Sequence, residues 1–115
     1  MKVQVNSDSN IQGRESLAAH VSGVVESALD HIGGHITRVE VHLSDENSHK
    51  ASDDDKRCVM EARLEGRQPV AVTHQAATLE QAVNGAARKL ARKVEGTLGR
   101  QRAQRKRPAS PEPLP

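Results

Sequence analysis

Two alternating runs joined by a polar loop, spanning His35–Gly66, limit the folds open to this chain more than any other stretch. The first is Ile36-Thr37-Arg38-Val39-Glu40-Val41-His42-Leu43, and the second is Cys58-Val59-Met60-Glu61-Ala62-Arg63-Leu64. Strict apolar/polar alternation sends successive side chains to opposite faces of a strand. Val39, Val41 and Leu43 then share one face with Cys58, Met60, Ala62 and Leu64. Arg38, Glu40, His42, Glu61 and Arg63 take the other. The pattern predicts an antiparallel hairpin with one buried and one solvated face. Two strands alone are marginal in water, so the rest of the chain must cover the apolar side.

The cover is legible on both flanks. Lys2–Asn6 alternates around Val3 and Val5 and reads as a short strand, followed by a loop over Ser7–Gly13. From Arg14 the period changes. Leu17, Val21, Val24, Val25, Ala28 and Ile32 recur at three- and four-residue steps, the stripe of an amphipathic helix. Gly33-Gly34 is expected to end it through the left-handed conformation that glycine tolerates. Strand, helix and strand with short joints make a crossover unit, so the first two strands are expected to be parallel neighbours.

Ser44–Asp55 is an acidic loop, long for a hairpin and expected to be mobile. Glu65-Gly66-Arg67-Gln68 reads as a turn. Pro69–His74 reads as a fourth strand with Val70 and Val72 inward, Pro69 suiting a strand start or an edge. Thr78-Leu79-Glu80-Gln81 has the form of a capping box, in which hydroxyl and amide each satisfy an orphan backbone donor. The helix it opens carries an apolar stripe of Leu79, Val83, Ala86, Ala87, Leu90, Val94 and Leu98. The layout is β-α-β-β-β-α, an α+β fold with a four-stranded sheet and two helices on one face. Residues 1–100 form the domain, and residues 101–115 are expected to be a disordered basic, proline-rich tail.

Composition narrows the chemistry. The chain of 115 residues has no Phe, Tyr or Trp, so its core must come from Val, Leu, Ile, Ala and Met. No apolar run approaches the roughly 20 residues that span a bilayer. The net charge of +2 conceals an asymmetry. Residues 1–87 hold 8 Lys and Arg against 13 Asp and Glu, whereas residues 88–115 hold 9 against 2. An acidic body with a basic C-terminal segment suggests an anionic partner met from one side. Arg88 and Arg92 project one turn apart, with Lys89, Lys93 and Arg100 along one flank and Arg102 and Arg105 beyond. Such cations straddle phosphates and bind shape rather than sequence. Without aromatic residues to stack on bases, a duplex or folded RNA suits this surface better than a single strand.

Other chemistries find less support. Six histidines and Cys58 lack paired ligand spacing, and His31-Ile-Gly-Gly-His35 is broken by its glycines, so surface histidines are the plainer reading. A metal-dependent enzyme built on His42, His49 and Cys58 remains a formal alternative. Cys58 falls on the apolar face, where thiols are usually inert. Asp53-Asp54-Asp55 has no spaced set of oxygen ligands, and no glycine-rich phosphate loop is present. The sequence therefore predicts a non-enzyme with no metal, cofactor or small-molecule substrate.

The order of elements, the opening Val3-Gln4-Val5-Asn6 strand, the central hairpin and Ala86-Ala87-Arg88-Lys89-Leu90-Ala91-Arg92-Lys93 together resemble the ribosome hibernation-promoting factor and ribosome-associated inhibitor family, the ribosomal subunit interface proteins. The resemblance covers about Met1 to Gly99. It implies the same β-α-β-β-β-α fold and a cytoplasmic stress factor that binds the decoding channel of the small ribosomal subunit. There it would contact ribosomal RNA and stop translation in idle ribosomes. It also implies that Lys89 and Arg92 occupy basic helix positions of the family, extended by Arg88 and Lys93. The chain resembles a short form, without the dimerising domain of some members, and is expected to be monomeric off the ribosome. Two departures stand out. Family members usually carry cations on the first helix, whereas Glu15–Asp30 has no Lys or Arg; and Leu79-Glu80 stands where an aromatic is common. The alternative is a protein-interaction module of the same fold that has lost tight ribosome binding, using the open sheet face and the acidic loop.

Overall fold

Alternation and helical periodicity resolve into seven consecutive elements in a computed structural model that describes residues 1–8, 14–45 and 56–106, with only the backbone described at 14 and 100–106. They are β1 (Lys2–Ser7), α1 (Arg14–Leu29), a 3-10 turn (Asp30–His35), β2 (Ile36–Asp45), β3 (Lys56–Leu64), β4 (Val70–Ala76) and α2 (Leu79–Lys106). The sheet order is β1-β2-β3-β4. β1 runs parallel to β2, while β2–β3 and β3–β4 are antiparallel. Most of the acidic hairpin loop and of the loop before α1 lies outside the described residues, as do residues 107–115.

The hairpin register follows the alternation. Val39 faces Ala62, Val41 faces Met60 and Leu43 faces Cys58, and all six are buried. Both helices lie on this side: α1 against β1, and α2 against β3 and β4, with the two helices in contact. Ile36 departs from the pattern. Alternation would place it outward with Arg38, yet it is buried. A bulge between Ile36 and Arg38 shifts the register by one residue and returns Ile36 to the core. The Thr37 hydroxyl secures the irregularity by donating to the Arg63 carbonyl at 3.1 Å.

Three further expectations need correction. The inward stripe of α1 is Val21, Val25 and Leu29, continued by Ile32 in the 3-10 turn, and all four are buried. Leu17, Val24 and Ala28 are only partly buried. A helix touching both a sheet and a neighbouring helix presents a wide apolar arc, so the deepest row cannot be chosen from spacing alone. Gly33-Gly34 does not make a left-handed cap. Gly66, at φ 71°, is the one described residue of positive φ. α1 instead tightens into the 3-10 turn, and the Ile36 N–H donates to the Gly33 carbonyl. Finally, α2 runs through Gly96 and Gly99 to Lys106, so residues 101–106 are helical rather than part of a structureless tail. Each glycine costs about 1 kcal/mol relative to Ala, but the Arg, Gln, Ala and Lys that follow favour helix.

The start of α2 carries half of its expected capping box: the Gln81 N–H donates to the Thr78 hydroxyl at 3.1 Å. Ala82, Val83, Ala86, Ala87, Leu90, Val94 and Leu98 are buried beneath it. β4 extends two residues past His74 to Ala76; Val70 is buried and Val72 half-buried.

Candidate nucleic-acid interface

The apolar stripe of α2 fixes which residues it shows to solvent. With Ala87, Leu90 and Val94 buried, Arg88, Lys89, Arg92 and Lys93 are exposed. Four cations thus occupy little more than one turn of a rigid element. They form two rows. Lys89 and Lys93 lean over β4, donating from Nζ to the backbone carbonyls of Thr73 at 3.0 Å and Ala71 at 3.1 Å. Arg88 and Arg92 stand on the side nearer α1, and neither has a hydrogen-bond or ion-pair partner among the described residues. Arg100, Arg102 and Arg105 continue on the same helix. At 1.5 Å per residue their backbone lies about 18–26 Å along the axis from Arg88.

α1 adds no cation to this surface over its described side chains. An open groove of about 580 Å³ separates the helices, lined by Ala19, His20, Gly23, Val24, Ser27 and Ala28 of α1 and by Asn84, Ala87 and Arg88 of α2. The groove exists because the α1 residues facing α2 are too small to fill it. Beyond it Glu26 and Asp30 are exposed. His31 of the 3-10 turn pairs with Glu95 of α2 and ties the end of α1 to the basic helix.

The opposite face of the sheet is charged but internally compensated. The register sets Lys2, Arg38 and Arg63 side by side on three strands. Like charges in one row repel. Glu40 lies among them, 3.3 Å from Arg38 Nε, 3.9 Å from Arg63 Nε and 3.9 Å from His42 Nε2, and Glu61 lies 3.7 Å from Arg63. Arg38 also donates to the Gln4 side-chain oxygen.

His42 and Cys58 cannot share an ion, since they project from opposite faces of the sheet: His42 is exposed, whereas Cys58 is buried on the helix side. His49 lies outside the described residues. Burial pushes the Cys58 thiol up to about 12, which keeps it protonated and unreactive near neutrality. Among the described residues no three His, Cys, Asp or Glu side chains gather as metal ligands, and no helix is long and apolar enough to cross a membrane.

Sequence reasoning found Arg88, Lys89, Arg92 and Lys93, the exposed cations among the described side chains of α2, but not what the lysines touch. The available signal was indirect: Val70–Ala76 is an edge strand without a charge of its own, and two lysines one turn apart follow in the next helix.

Residues 3–102 match the model of the family described as Sigma 54 modulation protein / S30EA ribosomal protein. Among solved structures, the chain is similar to the N-terminal domain of Thermus thermophilus Protein Y, with a TM-score of 0.67 at 18% identity, covering 84% of this chain and 99% of that one. It is also similar to a ribosomal subunit interface protein from Coxiella burnetii, with a TM-score of 0.57 at 14% identity, covering 90% and 99%. No curated protein gives a significant match. At such identities the structural likenesses establish the fold.

Proposed function

The chain belongs to the Sigma 54 modulation protein / S30EA ribosomal protein family, and from that premise we propose that it binds the small ribosomal subunit in the cytoplasm and inhibits translation in idle ribosomes by occupying the subunit sterically. The observation that carries this reading is the exposed cationic surface of α2, where Arg88 and Arg92 lack protein partners among the described residues and Lys89 and Lys93 are held beside them. Guanidinium groups one turn apart are suited to phosphates of folded RNA. Arg100, Arg102 and Arg105 follow on the same helix and are proposed as further RNA contacts. On this reading the protein works as a binding factor. Residues 1–100 are proposed as the ribosome-binding domain.

Because the described side chains of α1 include no Lys or Arg, the grip rests on α2. Each phosphate neutralised releases counterions, so affinity should fall steeply with salt. The compensated open sheet face argues against the rival interaction-module reading, since a partner there would have to displace the ion pairs around Glu40.

Co-sedimentation with small subunits at moderate salt tests the proposal. The wild-type protein should travel with the subunit and Arg88→Glu/Arg92→Glu should remain at the top of the gradient. If both behave alike, α2 is not the RNA surface.

A further inference from the structure

β4 has a neighbour on one side only, because the sheet ends there. An open strand edge is a row of unpaired N–H and C=O groups and a template for another strand. Proteins blunt such edges with charged residues, prolines or short strands. Val70–Ala76 uses none of these: its seven residues, Val-Ala-Val-Thr-His-Gln-Ala, contain no Lys, Arg, Asp, Glu or Pro.

The protection comes from α2. Lys89 and Lys93 donate to the carbonyls of Thr73 and Ala71. These residues alternate along the strand, so their carbonyls point to the same side. A helix side chain reaches them from the side that has no neighbouring strand. The two ammonium groups therefore occupy the acceptors that an incoming strand would need.

We propose that β4 is a strand-pairing edge for a second copy of this chain, held shut by Lys89 and Lys93. The segment suits that occupant. Its seven residues are centred on Thr73, so antiparallel pairing about that residue matches the edge with itself under a two-fold axis. No charge on either strand opposes the pairing. With the lysines in place, the same approach would crowd four ammonium groups into one seam and leave Ala71 and Thr73 without free carbonyls. The guard explains how an uncharged edge strand is compatible with a monomer.

Sedimentation equilibrium of two variants over a concentration series tests this. Lys89→Met/Lys93→Met and Arg88→Met/Arg92→Met lose the same charge, but only the first uncovers the edge. The lysine variant should approach twice the monomer mass while the arginine variant stays monomeric. Adding Thr73→Pro to the lysine variant removes an outward N–H and should restore the monomer. Amide hydrogen exchange at Ala71, Thr73 and Gln75 in the lysine variant should slow as concentration rises, a readout that holds even where the proline variant does not fold. A lysine variant that stays monomeric, equal association of both pairs, or association without protection of these amides overturns the proposal.

Discussion

The imidazole of His74, on β4, lies over the backbone of Gly85, on α2, in the space that a Cβ at that position would fill. This close approach sets the distance between helix and edge strand, which in turn lets Lys89 and Lys93 reach the β4 carbonyls. Gly85→Ala should gain about 1 kcal/mol of helix propensity yet lose more by displacing the ring, for a net loss of about 1–2 kcal/mol. In a His74→Ala background the same change should become stabilising. Urea unfolding of the four proteins in the cycle reads the sign reversal.

Leu29 is fully buried at the end of α1, whereas Val24 is only partly covered at the groove. Leu29→Ala should cost about 2–5 kcal/mol, as large-to-small changes in well-filled cores do. Val24→Ala should cost less than about 1 kcal/mol, because it removes less buried area. Equal midpoint shifts in denaturant would contradict this assignment of the inward row.

Cys58 is buried among β2, β3 and the helices, and its thiol is raised from 9.0 to about 12. A native protein should resist thiol-specific reagents at pH 8 and react once unfolded. The sign of the stability effect follows from linkage. Below pH 9 both states hold the proton and the contribution is complete. As pH rises from 9 towards 12, only the unfolded thiol ionises, so stability falls by up to about 1.4 kcal/mol per pH unit. Cys58→Ala should remove that component of the alkaline slope in pH-dependent urea unfolding.

Glu40 sits within 4 Å of Arg38, Arg63 and His42, three cations or potential cations on an exposed face. Glu40→Gln should destabilise the sheet by about 1 kcal/mol or less at low ionic strength, since exposed pairs contribute little. The loss should shrink in molar salt, where screening shortens to about 3 Å. Thermal melts at the two salt concentrations separate this from a packing defect, which salt would not relieve.

The recurrences of apolar residues were sufficient to place every strand and both helices, because period 2 and period 3.6 are read directly from side-chain order. Thr78 announced the start of α2, since a cap is a local interaction. The cations of α2 were equally legible, because a residue opposite an apolar stripe has to face solvent. Leu29 was not, because its burial depends on how α1 leans between sheet and neighbour. Nor was Ile36, whose face is set by a bulge that two strands make together.

Sequence alone determined the layering, the inward face of the hairpin from Val39 to Leu43 and the exposed face of α2, all consequences of a repeat along one segment. Tertiary structure decided that Lys89 and Lys93 would close the β4 edge, that Arg88 and Arg92 would be left without partners among the described residues, and that α1 would end in a 3-10 turn. Those outcomes depend on distances between elements far apart in the chain, and no local period encodes them.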